Sequence, residues 1–174
     1  MRNWFYEQIA MYSAYHRNGK NQLTHHIGVP MIVFSVMVIA STITVYEFES
    51  GPLTLAGLLM ACLLLFYIIS APLVGVIATL IYGFLLIVAE HISSMGMDVA
   101  LQVSISLFVL GWIIQFVGHV FEKRKPALFD NLLQIFMAPS FLIAEVLFML
   151  GLETGLKAEI EARIHRYLPE NEQG

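Results

Sequence analysis

The chain has 174 residues, 58% of them apolar and 13% charged, with a net charge of −4. Soluble domains carry about 25% charged residues, so this chain lacks the polar surface to stand in water and needs lipid around it. The acidic balance argues against a nucleic-acid partner, which calls for a basic face. The single cysteine, Cys62, excludes an internal disulfide and a Cys–Cys metal knuckle; within the apolar run from Leu58 to Ile69 it reads as a buried filler thiol.

Residues 1–26 contain no unbroken apolar run of the kind that makes a cleavable signal, so the first hydrophobic span is expected to serve as both address and anchor. Within them, residues 2–15 mix aromatic and polar side chains at helical spacing. That suits a helix lying in the membrane interface with Trp4, Tyr6, Tyr12 and Tyr15 at headgroup level. Asn18-Gly19 reads as the stop of that helix, glycine being the usual left-handed cap.

The next stretch, 27–46, has no charge and is long enough to span, since a crossing takes about 20 apolar residues. From Glu49 to Glu90 there is again no charge between the two acids. As one helix that stretch would reach ~60 Å, twice the hydrocarbon thickness. It must therefore turn back on itself, and Ser70-Ala71-Pro72 is the natural corner. Spans are expected at 53–69 and 73–89, and another at 99–118. The last apolar region, 127–152, contains Pro139 and Glu145 and has Asp130, Asn131 and Gln134 at its entrance. A charge at mid-membrane costs about 2.5–3.5 kcal/mol on insertion scales, so this region is expected to be a broken or re-entrant helix. Residues 153–174 form a tail with a short charged helix ended by Pro169.

All nine basic residues fall in three places: Arg2, Arg17 and Lys20; Lys123, Arg124 and Lys125; and Lys157, Arg163 and Arg166. Four crossings put these clusters on one side, as the positive-inside rule expects of the cytoplasm, and leave only acids in the opposite loops (Glu47, Glu49, Glu90 and Asp98). The expected fold is an all-α, polytopic membrane helical bundle in a single domain. It has about four spanning helices, a broken or re-entrant helical pair and an interfacial N-terminal helix. The localisation is integral and multi-pass, in a bacterial inner membrane or the endoplasmic reticulum, with the N-terminus and its histidines on the cytoplasmic side. The sequence specifies no oligomeric state.

Six histidines stand in a chain with few polar groups. His16 and His25 flank Asn18-Gly19, so they can come from one helix end and the next helix start and turn toward a common point. Asn21 precedes His25 by one turn, while His26 points about 100° away and is the weaker candidate. On the fourth span Gln115, Gly118, His119 and Glu122 form one polar stripe, and His119 with Glu122 at i, i+3 can offer a nitrogen and a carboxylate to one metal. Imidazole and carboxylate suit iron, and open positions suit oxygen chemistry. His91 is separated from the others by a span, and His165 lies in the tail. Intramembrane polar residues are functional candidates by default.

The run from Tyr15 through Pro30 (Tyr-His-Arg-Asn-Gly-Lys-Asn-Gln-Leu-Thr-His-His-Ile-Gly-Val-Pro) resembles the opening motif of the 2-hydroxy fatty acid dioxygenases of fungal α-oxidation and their bacterial relatives. So does a second block, Gly111-Trp112 and Gln115 through His119, followed by Phe121 to Leu128 and Asp130-Asn131-Leu132. Ala138 to Phe141 and Glu145 also match. The resemblance implies a membrane-bound iron(II) enzyme with Fe(2+) as cofactor. Its partners would be a long-chain 2-hydroxy fatty acid, O2 and membrane lipid; it would release the carboxyl carbon as CO2 and leave a fatty acid one carbon shorter. It carries the family's histidines onto His16, His25 and His119. Glu122 as a further ligand rests on helix spacing alone, and Asn21, Gln115 and Glu145 are expected to orient the imidazoles. Arg124 or Lys123 is expected to hold the carboxylate, and the substrate's hydroxyl and carboxylate could chelate the metal. Three other readings compete. A bis-histidine haem protein is one. A membrane hydroxylase or desaturase is disfavoured because such di-iron sites need about eight histidines. A transporter or scaffold is disfavoured because transporters keep polar residues near the midplane.

Overall fold

A computed structural model describes residues 1–49, 51–123 and 125–168. Arg124 and Pro169 lie outside the described residues. The elements run α1 (Arg2–Ala14), α2 (Gly19–Ala40), β1 (Thr44–Phe48), β2 (Gly51–Thr54), α3 (Leu55–Ser70), α4 (Pro72–Ser94), α5 (Met97–Glu122), α6 (Gln134–Met149) and α7 (Thr154–Ile164). Short 3-10 turns stand at Ala127–Phe129 and His165–Tyr167. The fold is an all-α helical membrane bundle. α2, α4 and α5 are each long and apolar enough to cross a bilayer, and α6 with α7 makes a fourth candidate bent by 115°. α3, at 16 residues, is shorter than the about 20 a perpendicular crossing takes.

The corner between α3 and α4 falls where the sequence places it. Pro72 opens α4, where its missing N–H costs nothing. Gly75 lets the two helices meet: a Cβ there would come 2.3 Å from the Ile68 backbone nitrogen. The α2–α5 pair is the most extensive in the bundle, and it too is built on glycine. A Cβ on Gly28 would lie 2.8 Å from Gln115 Cγ, on Gly111 2.7 Å from Ile32 Cγ1, and on Gly118 2.0 Å from Thr24 Oγ1. Lipid tails are as apolar as leucine, so helices in a bilayer associate through such close backbone approach rather than through hydrophobicity.

Four expectations need correction. Asn18-Gly19 opens α2 instead of closing α1. Asn18 has extended backbone, and its side chain accepts from the Lys20 amide at 2.9 Å, so N-cap chemistry outweighs glycine's role as a stop. The span expected at 27–46 is accordingly shifted: the helix runs from 19 to 40, and Thr44-Val45-Tyr46, rich in β-branched and aromatic residues, pairs in an antiparallel hairpin with Gly51–Thr54. α1 packs against the bundle, and two of its expected headgroup anchors are turned away from the surface. Phe5, Ile9 and Ala10 are fully buried, Tyr12 and Tyr15 turn inward, and Phe5 meets Phe66 and Tyr67 of α3 edge-on. The broken helical pair expected at the end of the chain is present as α6 and α7: α6 passes through Pro139, and the break comes after Met149, where Gly151 and Glu153 take left-handed backbone. Cys62 is exposed on α3 rather than buried.

α7 folds back onto α1. Glu7 pairs with Arg163 at 3.3 Å and with Arg166 at 2.8 Å, and the Tyr167 hydroxyl donates to Glu7 at 2.8 Å. The basic tail thus shares an end of the bundle with the N-terminal helix.

Candidate metal centre

His16 sits in the short link between α1 and α2. Its Nδ1 lies 2.7 Å from the Tyr12 carbonyl, and its ring stacks on Tyr12 with centroids 4.0 Å apart. His25 is two turns into α2, with Nδ1 2.9 Å from the Asn21 carbonyl. His119 stands one turn before the end of α5. All three are buried, and one ring nitrogen from each lies within 4.8 Å of the others. The rings meet edge to face, with centroids 4.4, 4.9 and 5.3 Å apart.

Carbonyl oxygens can only accept, so Nδ1 of His16 and of His25 must each carry the proton. In the neutral rings each Nε2 is then a bare lone pair. These two Nε2 atoms face each other at 3.1 Å. Two lone pairs so close repel unless a cation lies beside both. Nitrogens about 2.1 Å from an ion, at a right angle to one another, stand about 3.0 Å apart. The donor set therefore fits a bound metal, and the carbonyls play the part that outer-sphere partners play around metal-bound histidine. Three neutral imidazoles suit iron, copper, nickel or zinc. Burial, with the nearby Glu145 carboxylate and Tyr82 adding to it, holds the Tyr12 phenol far above its ordinary pKa, so His16 rests on an uncharged ring.

Glu122 stands apart from the three-histidine group. Its carboxylate accepts from the Arg17 amide at 3.1 Å, the Asn18 amide at 2.9 Å and Asn21 Nδ2 at 2.9 Å. The expectation of a fourth ligand thus gives way to a clamp: the last residue of α5 meets backbone amides where the link enters α2, a place that favours a negative charge. Asn21, fully buried, joins this clamp to His25 through its own carbonyl.

The histidines open into a cavity of about 50 Å³, walled by Val29, Ile32, Trp112, Leu128, Ile135 and Ala138, with Gln115 and Gln134 as polar members. A water takes about 10–15 Å³ on the same measure, so an ion and a few small groups fit. Glu145 is not among the cavity residues; it faces His26 at 3.9 Å. Lys123 is exposed just beyond Glu122, and His91 and His165 are exposed and stand outside the three-histidine group. Tyr12 and Gln134 line the cavity, although the sequence reading gave them other places, Tyr12 at headgroup level and Gln134 at the entrance of the last apolar region. The aromatic one turn before His16 was the available signal for Tyr12.

The fold and the site together define a polytopic membrane protein with a buried three-histidine centre in a small apolar-walled cavity. A family described as "2-hydroxy-palmitic acid dioxygenase Mpo1-like" matches residues 3–150. The chain belongs to this Mpo1-like family. It is 40% identical over 156 residues to the 2-hydroxy-palmitic acid dioxygenase MPO1 of Saccharomyces cerevisiae, a match covering 88% of this chain and 86% of the yeast protein. No solved structure matches it.

Proposed function

We propose that this protein is an iron(II)-dependent membrane dioxygenase that shortens long-chain 2-hydroxy fatty acids by one carbon. One molecule of 2-hydroxy acid and one of O2 give the shorter fatty acid, CO2 and water. The observation that carries this reading is the pair of carbonyl-fixed imidazoles facing each other beside His119, in a chain that so closely resembles the yeast dioxygenase.

His16, His25 and His119 would hold the metal. When bound, iron supplies the redox chemistry that O2 needs and Lewis acidity toward the oxygens of the substrate head. The rest is the work of the chain. Tyr12 and Asn21 hold the imidazoles in the donating tautomer through their carbonyls. Glu122 keeps the α1–α2 link against α5. The apolar walls exclude bulk water from the reacting head, and a cavity of about 50 Å³ leaves the acyl chain outside, in lipid. Lys123, exposed one residue beyond Glu122, would draw the carboxylate toward the cavity. This end carries Arg17, Lys20, Lys123 and Lys125, and faces the cytoplasm on the positive-inside rule.

The test is metal analysis of detergent-purified protein, followed by O2 uptake and CO2 release with 2-hydroxypalmitate. Bound iron, with O2 consumed and CO2 released in equal amounts, is the expected result. Protein that retains only zinc, or iron-loaded protein that takes up no O2, overturns the reading.

A further inference from the structure

Gln134 opens α6, is 1% exposed and lines the three-histidine cavity. The direction of its amide is set by a chain of bonds that starts on a group whose polarity is fixed. The Leu133 backbone N–H donates to Asn131 Oδ1 at 3.0 Å, so Asn131 must present its nitrogen elsewhere. That Nδ2 donates to Gln8 Oε1 at 2.8 Å. The same Gln8 oxygen accepts from Gln134 Nε2, also at 2.8 Å. Gln134 Oε1 is the atom left over: a buried acceptor with no donor among the described residues.

A ligand that completes this site must bring a donor hydrogen. Neither O2, nor an ionised carboxylate, nor an alkyl chain has one. In a 2-hydroxy acid the hydroxyl is the sole donor near the head. We propose that Gln134 accepts the hydrogen bond of the substrate's 2-hydroxyl and so sets the preference for 2-hydroxy acids over unhydroxylated ones. Asn131 and Gln8 hold its amide in the accepting orientation. This assignment rests on the proposed function, because it takes the substrate class from there. A plain fatty acid in the same place would leave the oxygen buried and unpaired, which weakens binding about 5- to 150-fold.

The full chain in detergent, free of iron and loaded with it, is assayed by competition of 2-hydroxypalmitate and palmitate against a fluorescent fatty acid. Wild-type protein should favour the hydroxy acid by about tenfold or more. In Gln134→Met that ratio should fall toward one, with palmitate affinity and iron content unchanged. In Gln8→Met, where Gln134 is present but free to turn, the ratio should fall part of the way. A merely structural role would weaken both ligands together. A Gln134→Met protein with the wild-type ratio overturns the assignment; should that variant fail to fold, Gln8→Met with an unchanged ratio does the same. A wild type that takes up no O2, yet shows a preference that Gln134→Met abolishes, overturns the reaction and upholds the assignment.

Discussion

At the end of the bundle where α1 turns into α2 and α5 stops, three imidazoles are buried, and those of His16 and His25 have their protons fixed on Nδ1, donating to backbone carbonyls. At the opposite end stand His91, exposed on the last turn of α4, and Glu90, bonded to the Thr54 hydroxyl at 2.8 Å beside an exposed two-stranded hairpin. Both ends offer imidazole and carboxylate. Only one end removes them from water and fixes which nitrogen is bare. What makes ligands of these side chains is the burial and the directed bond, since a free imidazole on the surface trades tautomers and hydration at no cost.

The largest test of that contrast is removal of the imidazoles. His16→Ala, His25→Ala and His119→Ala should each bring iron retention and turnover to background, measured by metal analysis and O2 uptake. Retention of stoichiometric iron by any of the three would mean that the buried end is not the metal centre.

Glu122→Gln sharpens the distinction between ligand and clamp. The substitution keeps the shape but removes the charge and turns one of two accepting oxygens into a donor, where Arg17 N, Asn18 N and Asn21 Nδ2 all donate. Loss of an outer-sphere partner typically costs about 10- to 100-fold in metal affinity, and that is the expected fall in a chelator titration. Complete loss of iron, as in the histidine variants, would restore Glu122 as a ligand.

Gly118→Ala tests the seam on which His25 and His119 are carried. The new methyl would meet Thr24 Oγ1 and Asn21 Oδ1 at 2.0 and 2.5 Å, so α2 and α5 must part. Overpacking of this kind costs about 1–3 kcal/mol. The expected result is a lower melting temperature by circular dichroism in detergent, with weaker iron binding; an unchanged melting temperature would show the seam to be soft.

Much of this was legible in the chain itself. The absence of charge marks the crossings, Ser70-Ala71-Pro72 marks the corner, and the stripe Gln115-Gly118-His119 marks the polar face of α5. Other features were hidden for definite reasons. Helical spacing puts Glu122 on the face of His119 but says nothing of the backbone amides of the α1–α2 link, which bond its carboxylate instead. Gln134 is a lone polar residue at the head of an apolar helix, and nothing local distinguishes a membrane-entry residue from one held by Gln8, 126 positions away. The hairpin was hidden by length: an uncharged run long enough to span was read as one helix, although Thr44-Val45-Tyr46 favours a strand. Tyr12 and Tyr15 look like headgroup anchors until α6 and the 127–129 turn are packed over them.

The smallest expected effect belongs to the other end. His91 is exposed and lies beyond a full crossing from His119. α5 has 26 residues and rises about 1.5 Å per residue, so no modest rearrangement brings His91 to the buried group. His91→Ala should leave iron content and O2 uptake within about twofold of wild type, since surface substitutions away from such features stay within about 0.5 kcal/mol. If it instead strips the iron, the metal does not belong to the His16–His25–His119 group alone, and α4 must re-enter the membrane to bring its last turn beside α5.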